Sequence, residues 1–162
     1  MAGLIDTTLS KETESESREL VPYNVPVTAY PTCSGVIIVN SPGSGELKDG
    51  RENRWKNLGN HLQERGLATL VTYNAPRPDF RVKLEWEPYS YRGASWNKLL
   101  IESLSHTIDW ALENAEQLCG NGSPVVYLTG FSSGGSAVGA VAHRYPDVKR
   151  LLLLSTYDSV GD

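Results

Sequence analysis

The chain has 162 residues, 40% hydrophobic and 21% charged, enough to bury a core in one domain and too apolar for wholesale disorder. Its formal net charge of −4, from 19 acidic and 15 basic residues, lacks the basic excess of a dedicated nucleic-acid binder. No apolar run reaches the roughly 18 residues of a membrane span, and the two cysteines, Cys33 and Cys119, are too few for a disulfide framework and lack metal-ligand spacing. The expectation is a soluble protein of a reducing compartment such as the cytoplasm, with two buried free thiols favoured over a single Cys33–Cys119 bridge. No metal or organic cofactor is implied, and no nucleic-acid or membrane partner.

In chain order, residues 1–20 carry five acids and two bases without periodicity and read as a flexible acidic tail; residues 21–162 read as a single domain. Pro22, Pro26 and Pro31 punctuate the stretch from Leu20 to Tyr30, which limits it to an edge strand or irregular extended chain. Gly35-Val-Ile-Ile-Val-Asn40 is a short β-branched run without alternation, as in strands buried on both faces. The glycine-rich turn Ser41-Pro-Gly-Ser-Gly45 follows it. Trp55, Leu58 and Leu62 then mark one face of a helix from about Glu52 to Arg65, stopped by Gly66. Leu67 to Tyr73 is the next strand.

Residues 74–96 form a long connection rich in proline and aromatics (Phe80, Trp86, Tyr89, Tyr91 and Trp96), of a length that is usually functional or disordered, its aromatics reading equally as packing or as substrate contacts. Leu100, Leu104, Ile108, Ala111, Ala115 and Leu118 keep a helical period as far as Gly120. A strand at Pro124–Thr129, a turn with a short helix to His143, and a strand at Arg150–Ser155 complete the pattern. Strands alternating with helices predict a mostly parallel sheet with helices on both faces.

The motif that carries chemistry is Gly130-Phe-Ser-Ser-Gly134, a match to G-x-S-x-G. Its place at the end of an apolar strand and the start of a helix fits a nucleophile elbow. There the central Ser132 occupies a strained turn, and the positions two before and two after must be small because backbone crowds them. The backbone N–H of Ser133 opens the helix and would point at an oxyanion formed on a substrate at Ser132. The competing reading is a strand-to-helix turn that needs glycine only for packing.

With these residues in place the chain resembles the α/β-hydrolase superfamily, in particular dienelactone hydrolases and serine aminopeptidases, from about Gly35 to Asp158. Leu62-Gln-Glu-Arg-Gly-Leu-Ala-Thr-Leu-Val71 looks like that family's first helix running into its next strand, and Tyr91-Arg-Gly-Ala-Ser95 like its arginine-glycine segment. The resemblance implies an α/β-hydrolase-like fold, truncated after the sixth strand, and a small-molecule acyl substrate. It also implies a second oxyanion-hole donor, the backbone N–H of Ser44, although Pro42 stands where the family commonly has histidine. As a phosphate cradle, Ser41–Gly45 is weaker: Lys48 is at the wrong distance and Asp49 follows it.

The departure from the family lies in the base. In the family's order of serine, acid, histidine, the last two lie on loops after later strands. His61 and His106 precede the elbow, and His143 follows by only eleven residues at the far end of the elbow's helix, on the order of 15 Å away. All three read as structural or solvated. Asp158 lies where a minority of the family carries its acid, but reads first as a loop aspartate. Either the chain is the N-terminal part of a longer hydrolase or it is a short relative without a base. Leu151–Leu154, apolar toward both faces yet at the sheet edge, favours the first and calls for cover by further sheet, a second subunit or a partner segment. The leading expectation is therefore acyl-enzyme hydrolysis of an ester, thioester or amide at Ser132, weak or absent in the isolated chain. The rival is a non-catalytic binding or assembly module on the same fold.

Overall fold

The structure, a computed structural model, describes residues 3–14, 18–76 and 96–154. The run Val36–Ser41 (β3) is the hub of a six-stranded sheet. It pairs in parallel with Thr69–Tyr73 (β4) on one side and Val125–Phe131 (β5) on the other. Val148–Leu154 (β6) extends the sheet in parallel beyond β5, and Leu20–Tyr30 (β2) joins antiparallel beyond β4. With Ile5–Glu14 (β1) outermost, the order is β1-β2-β4-β3-β5-β6, so the sheet is mixed, with a parallel core.

Residues 1–20, expected to be a loose tail, contain a ten-residue strand paired along its whole length with β2. The correction has a simple cause. An outermost antiparallel strand needs to bury only one face, and a sparse alternation supplies it: Ile5 and Leu9 pack on the core, while Asp6, Thr8 and Ser10 face out. The prolines of β2 are accommodated by direction. Pro26 accepts a hydrogen bond from the Asn74 N–H on the β4 side at 3.0 Å and has no N–H to return, so the β2–β4 ladder stops there, after Val27–Tyr30. Pro22, four residues earlier, faces the same side, where β4 no longer runs. A strand interior to the sheet at one end and open at the other thus tolerates both rings.

Helix Arg54–Glu64 (α1) follows a short 3-10 turn at Arg51–Asn53. Its buried face is Trp55 and Gly59 with half-buried Leu62, whereas Leu58 is 39% exposed, contrary to the sequence expectation. Gly59 rather than Leu58 faces the sheet because the Tyr30 ring lies where a Cβ would sit, at 2.4 Å. On the opposite face, Trp96–Glu113 (α2), Ala115–Cys119 (α3) and Ser133–Val141 (α4) cover the sheet. Leu100, Leu104, Ile108, Ala111, Ala115 and Leu118 are all buried, as their period requires. Their helix is broken at Asn114, which leaves helical geometry while its side-chain amide donates to the Trp110 carbonyl at 2.8 Å. Cys119 is buried, but Cys33 is exposed rather than buried.

One surface cluster ties β1 to the loop after β3. Lys48 pairs with the Asp6 carboxylate, and both bond Thr28. Lys48 and Thr28 hold the Asp6 carboxyl below its ordinary value of 3.8. The folded state therefore binds this proton less tightly than the unfolded chain, and the stabilisation is present above that value and lost as pH falls through the lower folded one. Because Asp6 is half exposed, the effect is small. Asp6→Asn is expected to lower the melting temperature slightly at pH 7, with the two melting temperatures converging below pH 3.8; thermal scans across that range check it.

Candidate active site

The chain leaves β3 toward β4 by way of α1 on one face, and reaches β5, on the other side of β3, by way of α2 on the opposite face. The carboxyl ends of β3 and β5 therefore flank the sheet's switch point, where α/β folds open a crevice. The residues singled out from the sequence converge there. Ser132 joins β5 to α4 with φ 55° and ψ −127°, a left-handed conformation that a side-chain-bearing residue adopts only under constraint. The constraint is visible on both sides. A Cβ on Gly130 would lie 2.5 Å from the Gly135 Cα, and one on Gly134 would lie 2.2 Å from the Ser41 carbonyl oxygen. Both glycines of the motif are thus dictated by backbone contact.

Gly134 also seats the β3 loop against the elbow. From the loop side, the Cβ position of Gly43 is 3.5 Å from the Ser132 Cβ and 3.2 Å from the Phe131 ring. Ser132 is half-buried, and its N–H donates to the Leu154 carbonyl at 2.9 Å, so β6 holds the elbow from its far side. Ser133, the first residue of α4, has an N–H at a helix N-terminus, where no intrahelical acceptor exists. The Ser133 side chain is buried and its hydroxyl makes no hydrogen bond among the described residues. Ser44 is exposed, beside Gly43.

Beneath this loop lies a layer of buried polar groups that sequence reasoning passed over. Asn40 donates to the Thr72 hydroxyl at 3.3 Å and accepts from the Thr129 hydroxyl at 2.8 Å, linking the ends of β3, β4 and β5. The Ser41 hydroxyl bonds the Tyr73 hydroxyl at 2.7 Å, and burial pushes that phenol far above its ordinary value. The available signal was Asn40-Ser41 itself, two polar residues closing an apolar strand. Beside the elbow, the Arg54 guanidinium stacks on the Phe131 ring at 3.9 Å, and Trp55 meets that ring edge-on at 6.3 Å.

The three histidines do not join the site. His61 lies in the last turn of α1 and is exposed, and His143 is exposed in a 3-10 turn beyond α4. His106 lies within α2 against the Tyr23 ring, where burial lowers its pKa. Among the described residues, none of them bonds Ser132. Asp158, the Tyr91–Ser95 segment and most of the aromatic 74–96 connection lie outside the described residues. Among the described residues no group of three or more His, Cys, Asp or Glu converges as a metal site, and no helix is long and apolar enough to cross a membrane.

No protein-family model and no curated protein sequence matches the chain. Solved structures do. An α/β hydrolase, GrgF from Penicillium sp. sh18, superposes with a TM-score of 0.59 at 18% identity, over 96% of this chain and 48% of its own. A thermostable carboxyl esterase from Bacillus coagulans gives 0.59 at 14% identity, over 90% of this chain and 43% of its own. A dienelactone hydrolase from Anabaena variabilis gives 0.53 at 19% identity, over 93% and 64%. At these identities the likeness establishes the α/β-hydrolase fold, and the chain spans about half the length of the first two structures.

Proposed function

We propose that the chain carries the nucleophile half of a serine hydrolase that acts on an ester, thioester or amide of a small molecule. The observation that carries this reading is the left-handed Ser132, wedged between two glycines that backbone contact dictates, with the β3 loop packed against it. In the proposed reaction the Ser132 Oγ adds to the substrate carbonyl carbon. The carbonyl oxygen becomes an oxyanion, and the backbone N–H groups of Ser44 and Ser133 donate to it. Collapse expels the alcohol, thiol or amine and leaves an acyl-serine, which water hydrolyses to the acid and free enzyme. Fixed N–H donors stabilise the developing charge without reorganising; one such donor contributes on the order of 10² to 10³ in turnover.

The proton on Ser132 needs an acceptor, and no described residue serves as one. Loss of the base in a serine protease costs on the order of 10⁶ in turnover, with roughly 10³ to 10⁴ over water remaining from the oxyanion hole and binding. The isolated chain is accordingly proposed to be a weak catalyst, whose base would come from further chain or a partner segment beside β6.

A fluorophosphonate probe tests the nucleophile directly. Labelling of the chain at Ser132, absent in Ser132→Ala, is the expected result. An unlabelled chain, with or without a base supplied in trans, would overturn the catalytic reading in favour of a binding or assembly module.

A further inference from the structure

Glu46 follows the proposed oxyanion loop, its side chain is only 10% exposed, and three donors converge on its carboxylate. One oxygen accepts the Gly43 N–H at 3.1 Å. The other accepts the Arg51 N–H at 2.8 Å and pairs with the Arg54 guanidinium at 2.5 Å. The Glu46 backbone acts on the same turn: its N–H donates to the Gly43 carbonyl at 2.9 Å, and its carbonyl accepts from the Ala75 N–H at 2.9 Å.

The consequence follows from peptide planarity. The Gly43 carbonyl and the Ser44 N–H belong to one planar trans unit and point in opposite directions. With that carbonyl drawn back to Glu46, the Ser44 N–H is turned away from its own loop, and it makes no hydrogen bond to another described residue. Arg54, bridging the carboxylate and the Phe131 ring, fastens this turn to the residue next to Ser132.

We infer that Glu46, clamped by Arg54, is a positioning residue that fixes the Gly43–Ser44 peptide so that the Ser44 N–H is presented to the oxyanion. The inference rests on the reading of Ser44 as a donor, so its test includes a measurement that does not depend on catalysis. Glutamine at this position has one acceptor oxygen and would set an NH₂ against converging donors. Alanine would leave the Gly43 N–H without its partner.

The experiment compares Glu46→Ala, Glu46→Gln and Arg54→Met with the unaltered full chain by amide hydrogen exchange at Gly43 and by the rate of fluorophosphonate labelling. Asp109→Asn, which weakens a bond to the Tyr145 hydroxyl far from the loop, controls for destabilisation alone. Exchange at Gly43 is expected to rise about tenfold in both Glu46 variants. Labelling is expected to fall about 10- to 100-fold, the scale of a misplaced catalytic group, less in Arg54→Met and not at all in Asp109→Asn. Unchanged Gly43 exchange in both Glu46 variants would overturn the inference, as would a labelling loss that Asp109→Asn reproduces. If the unaltered chain takes no label, the nucleophile reading fails by itself, and Gly43 exchange alone decides whether Glu46 holds the peptide.

Discussion

Gly134→Ala is expected to destabilise the chain by about 1–3 kcal/mol or more and to abolish labelling of Ser132, whereas Gly139→Ala, further along the same helix, is expected to be neutral or stabilising by up to about 1 kcal/mol. The two glycines share α4, and their surroundings separate them. A Cβ at 134 would lie 2.2 Å from the Ser41 carbonyl oxygen and 2.3 Å from that of Pro42, while one at 139 would meet nothing within 4 Å. The obstructing atoms at 134 are backbone atoms that enter the loop held by Glu46, so they cannot rotate aside as a side chain can. Relief requires α4 to move off the loop, which opens the gap between Ser132 and the Ser44 peptide. Stability and site are therefore lost together. Urea denaturation of both variants, with labelling measured on each, checks this; a Gly134→Ala chain as stable as the unaltered one would mean that the contact between elbow and loop is loose.

That contact also marks how far the sequence was legible. The elbow could be read because its constraint is local: strand, turn and helix follow one another without a break from Val125 to Val141, and the glycines that satisfy it are in the motif. The placing of Ser41–Gly45 beside it came only from the family resemblance, because by itself the loop reads equally as an ordinary turn. Strand β1 was missed because an edge strand with Ile5 and Leu9 as its apolar anchors has little pattern to show among so many charges. Leu58 was assigned to the buried face by periodicity, but that assignment depends on the Tyr30 ring, supplied by a strand some thirty residues away. Glu46 and Arg54 carry no motif. They meet across a turn in which Glu52 and Asn53 both take positive φ, a backbone path that their residue types do not announce.

The isolated chain is expected to self-associate at micromolar concentration through β6, and Leu152→Lys combined with Leu153→Lys is expected to return it to a 17.8 kDa monomer. Among the described residues β6 pairs only with β5, so its other edge offers free N–H and C=O groups. Leu151, Leu152, Leu153 and Leu154 are 45%, 55%, 43% and 39% exposed, and because neighbouring side chains alternate between faces, both sides of the edge are apolar. A sheet edge that ends in water is ordinarily guarded by lysine, proline or a bulge; in β6, Lys149, Arg150 and a bulge at Lys149 guard only the start of the strand, and Leu151–Leu154 beyond them have the composition of an inner one. Lysine at two positions that are already half exposed removes the apolar attraction at little cost to the fold. The same edge bears on chemistry, since the Leu154 carbonyl holds the Ser132 N–H. Covering β6 should steady that carbonyl, so labelling of Ser132 is expected to be faster in a species whose β6 edge is occupied than in the lysine variant. Light scattering on both chains, with labelling rates measured on the same samples, checks the pair of expectations. A wild-type chain that stays monomeric would show that water tolerates this leucine edge, and would remove the physical reason for expecting further sheet beside it.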